Sequence, residues 1–245
     1  MKAMILAAGL GTRLKPLTDN KPKALVEING VPMLGLLIEK LKRYGCDNIV
    51  VNIHHFGQQI IDYLSQNNNF NISIAVSDER FMLLDTGGGI KHARKLLPES
   101  EAFIVHNVDI YSDIDIAAMY RYHLSSGNLV TLAVKQRESS NYLYFDSNNL
   151  LCGWKSYKTG REIISRPIEQ YKELAFSGIH IINPSIFDMI TEEGCFGIVP
   201  VYLRLAATHS IGAYLHQGDT IIDLGKTESL LEVERAILQK NDDLQ

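Results

Sequence analysis

The sequence predicts an α/β fold in which a mixed, mainly parallel central sheet carries helices on both faces. Three observations predict it. Short, almost uninterrupted apolar runs recur at residues 2–8, 48–53, 71–76 and 102–106, as expected of strands covered on both sides. Helical patterns of roughly 10–15 residues alternate with these runs, the arrangement of βαβ units. The polar clusters Gly9 to Arg13, Thr86 to Gly89 and Asn107 to Asp109 follow strands, and open parallel sheets bind ligands at the carboxyl ends of their strands.

Taken in order, residues 2–8 make a buried strand ended by Gly9, and 9–22 a loop rich in turn-formers. Residues 24–28 are short and strand-like, and Asn29-Gly30 makes a tight turn. Pro32 opens a helix over 33–44 whose apolar face is Met33, Leu34, Leu37, Ile38 and Leu41, with a stop near Gly45. Strand 48–53, helix 57–64 and strand 71–76 follow. A loop ending in Gly87-Gly88-Gly89 then leads into a helix to about Leu97, and strand 102–106 ends at Asn107 and Asp109.

Beyond Asp109, a helix near 114–125 and a strand at 129–135 continue the sheet. Residues 141–165 have the look of β-hairpins, with turns at 146–149 and Thr159-Gly160. Strand 175–182, helices 184–191 and 199–208, strands 211–216 and 220–224 and helix 227–239 complete the chain. No Gly/Ser linker, low-complexity run or repeat divides it, so one domain is expected over 1–245. Its parts would be 1–110, 111–225 and a closing helix and tail at 226–245.

An apolar content of 46% suits a full core, and 21% charged residues with only 18 Gly and 7 Pro exclude disorder, collagen and coiled coil. No stretch approaches the roughly 20 apolar residues that span a bilayer, and the run at 3–8 is too short for a signal peptide, so no membrane partner is expected. Cys46, Cys152 and Cys195 lie far apart without metal-like spacing, which fits reduced thiols and a cytoplasmic location. The net charge of −4 argues against nucleic acid as a partner. Its distribution is uneven: through Lys23 there are five basic residues and one acidic, a balance of +4, against 19 basic and 27 acidic beyond it, a balance of −8. A cationic segment on an acidic chain suits a small polyanion.

The strongest chemical signal is Leu6-Ala7-Ala8-Gly9-Leu10-Gly11-Thr12-Arg13-Leu14, followed by Pro16-Leu17-Thr18 and Pro22-Lys23. A glycine-rich turn after a buried strand lets backbone N–H groups approach phosphate oxygens. It is neither the dinucleotide fingerprint, since Leu14 occupies the third glycine position, nor a Walker A loop. Arg13 offers a forked donor set and Lys23 a point charge, both suited to a triphosphate.

This segment resembles the signature of the sugar-1-phosphate nucleotidyltransferases, Gly-X-Gly-Thr-Arg-Leu-X-Pro-Leu-Thr and then Pro-Lys. The resemblance implies a Rossmann-like nucleotidyltransferase fold, with 1–110 binding nucleotide and 111–225 the sugar phosphate. It implies that Arg13 and Lys23 act in catalysis on the triphosphate, while Leu6, Ala7, Ala8, Gly9, Gly11 and Thr12 help hold the nucleotide. Leu84-Asp85-Thr86-Gly87-Gly88-Gly89 looks like the family's base-binding loop, which adds Thr86, Gly87 and Gly88, and Asn107 joins them. Asp109 and Asp223, in Asn107-Val108-Asp109 and Ile222-Asp223-Leu224-Gly225, would hold Mg²⁺, the implied cofactor. Phe176-Ser177-Gly178-Ile179 resembles the segment leading to the sugar site, so Ser177 and Gly178 are candidate sugar contacts, as are Glu162, Arg166 and Lys155.

Two departures stand out: Val108 occupies a position usually held by glycine, and the Glu-Lys-Pro motif of many members is missing, Ser165-Arg166-Pro167 being the nearest stretch. His54-His55 reads as structural or as a nucleotide contact. The implied partners are a nucleoside triphosphate and a sugar 1-phosphate, in a monomer or a homo-oligomer. Within the family the chain looks most like N-acetylmuramate 1-phosphate uridylyltransferases, with mannose- or heptose-1-phosphate guanylyltransferases, a phosphocholine cytidylyltransferase and a non-catalytic nucleotide-sugar sensor as alternatives. A dinucleotide-dependent oxidoreductase is disfavoured by Leu14 and Arg13.

Overall fold

A computed structural model describes residues 1–167, 169–225 and 227–242. The first half runs β1 (Lys2–Leu6), β2 (Glu27–Ile28), β3 (Val31–Pro32), α1 (Met33–Arg43), β4 (Asn48–Ile53), α2 (Gly57–Gln66), β5 (Ser73–Asp78), α3 (Asp85–His92) and β6 (Phe103–Asn107). Then come β7 (Ile110–Ser112), α4 (Ile116–Ser126), β8 (Val130–Lys135), β9 (Asn141–Phe145), β10 (Leu151–Ser156), β11 (Glu162–Ile164) and β12 (Lys172–Ile182). The chain closes with α5 (Ile198–Leu205), β13 (Ile211–Leu215), β14 (Ile221–Asp223) and α6 (Thr227–Asp242).

The main sheet has the order β11-β10-β9-β12-β6-β1-β4-β5, with β8 and β13 branching from β12. Strands β6, β1, β4 and β5 are mutually parallel, as are β8 and β13. β12 runs antiparallel to β6, β8 and β9, and so joins these blocks. The sheet is therefore mixed, its parallel core coming from the alternating βα units. Side chains alternate across it: Ala3 and Ile5 of β1 pack with Leu34, Ile38 and Leu41 of α1, whereas Met4 packs with Ile90 of α3 and Val201 of α5. Helices α1, α2, α4 and α6 cover one face and α3 and α5 the other.

Several expectations need correction. Residues 23–25 are a 3-10 turn, not strand; only Glu27–Ile28 extends, pairing with Val31–Pro32 across Asn29-Gly30. The helix expected over 184–191 is a 3-10 segment, Pro184–Asp188. β7 was not foreseen, being too short to show periodicity; it pairs with β14 in a separate two-stranded ladder. The loop expected to end in three glycines is helical from Asp85 onward. No helix among the described residues is long and apolar enough to cross a membrane.

Candidate active site

β1 and β6 deliver their carboxyl ends side by side, with Leu6 in register with Asn107. The Val108 N–H donates to the Leu6 carbonyl at 3.1 Å, which holds the two exits together. A cavity of about 380 Å³ opens there, walled by Leu6, Gly9, Leu10, Gly11, Thr12, Arg13, Lys23, Leu83, Val108, Asp109 and Gly225 among others. Seven residues picked out by sequence, from Leu6 to Asp109, thus meet on one surface.

Gly11 adopts φ +67°, and a Cβ there would lie 2.9 Å from Thr18 Cγ2 and 3.1 Å from Lys23 Cβ. Thr18 is buried and donates its hydroxyl to the Gly11 carbonyl at 2.9 Å, which fixes the turn. Gly9 is the opposite case. The space a Cβ would fill is open, and Gly9 lines the cavity, so a ligand can approach its backbone.

Lys23 is 7% exposed and donates to the Asp109 carboxylate. A buried ammonium without a partner would carry a heavy desolvation cost, so this pair keeps the charge in place. Asp223 reaches the same region from the β14 ladder, where it faces Ile110. Its Oδ1 accepts the Gly225 N–H at 2.8 Å, and the Leu224 N–H donates to the Asp109 carbonyl at 2.8 Å, so backbone bonds tie the two aspartate segments together. The exposed Arg13 guanidinium packs over Gly225: a Cβ there would lie 2.5 Å from Arg13 Nη2 and 2.8 Å from Asp223 Oδ1.

Among the described residues no group of three or more His, Cys, Asp or Glu side chains gathers as a metal site. Two carboxylates in backbone-linked segments nevertheless suit a hard cation such as Mg²⁺, which commonly completes its shell with water and substrate phosphate.

Other expected residues lie elsewhere. The Gly87 and Gly88 N–H groups donate to the Phe196 carbonyl at 2.9 and 3.1 Å, and the Thr86 hydroxyl accepts the Ile198 N–H at 3.0 Å. A Cβ on Gly87 would sit 2.5 Å from the Phe196 ring, so this glycine serves close packing of α3. Ala7 and Ala8 are buried, and the Ala7 N–H is committed to Asn52 Oδ1 at 2.6 Å. Asn107 packs beneath Gly178, whose φ of +70° falls where the β12 register shifts.

Ser177 is fully buried with its hydroxyl 2.8 Å from His216 Nε2, which leaves it no open face for a sugar. Glu162 is exposed on the edge strand β11 and accepts the Tyr144 hydroxyl at 2.6 Å. Arg166 is spent on the Ala206 and His209 carbonyls, and Lys155 lies over the Tyr157 ring at 4.7 Å. His54 is held by the Glu79 carbonyl at 2.7 Å. Sequence reasoning passed over Asn52, Glu79 and Leu83. The one available signal was an asparagine inside the apolar run of β4.

A family model described as "Nucleotidyl transferase" matches residues 2–240. N-acetylmuramate alpha-1-phosphate uridylyltransferase from Caulobacter vibrioides is 31% identical over 245 residues, covering 94% of this chain and 97% of that protein. The catalytic subunit beta of mannose-1-phosphate guanylyltransferase from Dictyostelium discoideum is 33% identical over 195 residues, 78% of this chain and 52% of that protein. The crystal structure of HddC from Yersinia pseudotuberculosis complexed with GMP-PN matches with a TM-score of 0.74 at 25% identity, covering 96% of this chain and 99% of that one. With the family model spanning nearly the whole sequence and the signature residues gathered on one cavity, the chain belongs to the nucleotidyl transferase family and is an enzyme of its sugar-1-phosphate branch.

Proposed function

We propose that the protein is a Mg²⁺-dependent uridylyltransferase acting on N-acetylmuramate 1-phosphate or a related hexose 1-phosphate, releasing a nucleotide-sugar and pyrophosphate. The observation that carries this reading is the convergence of Arg13, Lys23 and Asp109 on the Gly9–Gly11 turn, with Asp223 tied in through Gly225. The uridylyl choice is supported by the relative of that name, matched over nearly the full length of both chains.

The acceptor's phosphate oxygen forms a bond to the α-phosphorus while the α–β bridging bond breaks, and pyrophosphate leaves with the electron pair. A phosphate monoester already attacks, so no protein nucleophile is needed and catalysis rests on positioning and charge. Arg13, exposed at the cavity wall, stabilises charge on the departing pyrophosphate through its fork of donors. Lys23, held at the inner wall by Asp109, draws the α-phosphate and the acceptor phosphate together. Asp109 and Asp223 would hold Mg²⁺, which supplies charge neutralisation at the phosphates. The open space over Gly9 admits the nucleotide to the backbone.

A second reading, guanylyl transfer, is favoured by the similar protein complexed with GMP-PN. A pyrophosphate-release assay tests both, crossing four nucleoside triphosphates with sugar 1-phosphates and phosphocholine, with Mg²⁺ and with EDTA. Turnover with UTP and N-acetylmuramate 1-phosphate, abolished by EDTA, is expected. Turnover confined to GTP establishes the second reading, and nucleotide binding with no turnover across the panel points to a phosphate acceptor outside the panel or to a sensor.

A further inference from the structure

Behind the Gly9 turn lies a buried polar strut. Asn52, register partner of Leu6 in the β1–β4 pair, and Glu79, just past β5, are 2% and 3% exposed. Asn52 Oδ1 accepts the Ala7 N–H at 2.6 Å, and Asn52 Nδ2 donates to Glu79 Oε1 at 2.7 Å. Glu79 Oε2 accepts the Leu84 N–H at 3.4 Å, next to Leu83 on the cavity wall. One amide and one carboxylate therefore bridge the turn that leaves β1 and the segment that enters α3.

The surroundings are built to keep the strut in place. The Glu79 N–H donates to the Ile53 carbonyl at 2.9 Å, and His54 Nδ1 lies 2.7 Å from the Glu79 carbonyl. A Cβ on Gly89 would lie 2.8 Å from Glu79 Oε1 and 3.0 Å from Asn52 Nδ2, so the third glycine of α3 makes room for the pair. Burial pushes the Glu79 carboxyl above its usual range, while hydrogen bonds from Asn52 and Leu84 pull the other way. Filling this space with apolar side chains would cost less than burying a carboxylate, but would impose no direction on the Ala7 N–H. Hydrogen bonds do: with Ala7 as donor on one side and a carboxylate on the other, Asn52 has a single satisfied orientation.

We infer that Asn52 and Glu79 are positioning residues of the nucleotide site, holding the turn at Ala7 to Gly9 against Leu83-Leu84 so that the cavity stands preformed. Among the described residues neither side chain lines the cavity, so each acts through the backbone it holds. This rests on the reading that the cavity binds a nucleoside triphosphate.

The strut can be tested by reversing its polarity. In Asn52→Asp two carboxylates face each other, and in Glu79→Gln one amide N–H is turned toward another donor. Combined as N52D/E79Q, the carboxylate at position 52 accepts from Ala7 and from the amide at 79, whose oxygen accepts from Leu84, so every bond is remade. Calorimetric titration with UTP and with GTP, steady-state kinetics and thermal melting are measured on all four proteins. Each single variant is expected to raise nucleotide Kd and KM about tenfold, equivalent to about 1.4 kcal/mol, with kcat little changed. The double variant is expected to recover most of that loss.

Singles that bind nucleotide normally overturn the inference, as does a lower melting temperature with unchanged KM. So does a double variant as weak as the singles. Should a single fail to fold, the double variant against the unaltered protein decides: recovery of folding and of Kd supports the strut, and folding without nucleotide affinity overturns it. If the unaltered protein binds no nucleoside triphosphate, the functional reading fails first and this inference with it.

Discussion

Gly225 shows how much a missing side chain can matter at the residue scale. A methyl group there would intrude on both Arg13 Nη2 and Asp223 Oδ1, at 2.5 and 2.8 Å. Gly225→Ala should therefore displace two charged groups at once while leaving the core untouched. Its turnover is expected to fall by about 10²-fold, near that of Asp223→Asn, because losing one preorganised charge costs on the order of 10²–10³ in rate. Steady-state kinetics of Asp109→Asn, Asp223→Asn and Gly225→Ala check this, and near-normal turnover in both asparagine variants removes the metal-holding role. Arg13 was legible in sequence because the motif carries it in a fixed local spacing after Gly9 and Gly11, and Asp109 and Asp223 because each sits in a short motif of its own. Gly225's contact with Arg13 was not, because 212 positions separate them and only the closing of β14 onto β7 brings them together.

Helix α3 illustrates how packing overrides propensity within one element. Glycine in a helix interior is usually about 1 kcal/mol worse than alanine. Gly87→Ala would gain that increment on an exposed helix. Here its Cβ would meet the Phe196 ring at 2.5 Å and the Phe196 carbonyl at 2.9 Å, while the same carbonyl accepts the Gly87 N–H. A net destabilisation of about 1–3 kcal/mol is expected, as for other overpacked sites, and urea unfolding measures it. A gain in stability would show that residues 194–198 yield without cost. The glycine run predicted a loop because local sequence reports only the conformational freedom of glycine. What glycine supplies at this site is the absence of a side chain, and the neighbour that needs the space is more than 100 residues away.

Four buried histidines give the molecule as a whole a common response to acid. His106 and His180 sit inside the sheet, His123 on α4 and His216 beside Ser177, and all are at most 3% exposed. Burial lowers the pKa of His106 and His180 to about 3 and that of His123 and His216 to about 4. The folded state keeps these rings neutral, whereas the unfolded chain protonates them below about 6.5. Their stabilisation is complete above that value and is lost on acidification toward the folded pKa values, at up to about 1.4 kcal/mol per pH unit for each ring. Glu79, raised by burial, works in the opposite direction as a single carboxyl. Melting temperature should fall steadily from pH 7 to pH 5, and a flat profile by scanning fluorimetry would refute the shared burial effect.

At this scale the division of information is clear. The alternation of apolar runs with helical patterns determined the βα order, and the contiguous motif determined the residues that line one wall of the cavity, because both are local properties of the chain. Tertiary structure alone decided that Ser177 is sealed against His216, that Gly87 and Gly88 pack on Phe196, and that Asn52 reaches Glu79 behind Ala7. These contacts depend on strand order and register, and a hydrogen bond between distant segments leaves no periodic trace in either of them.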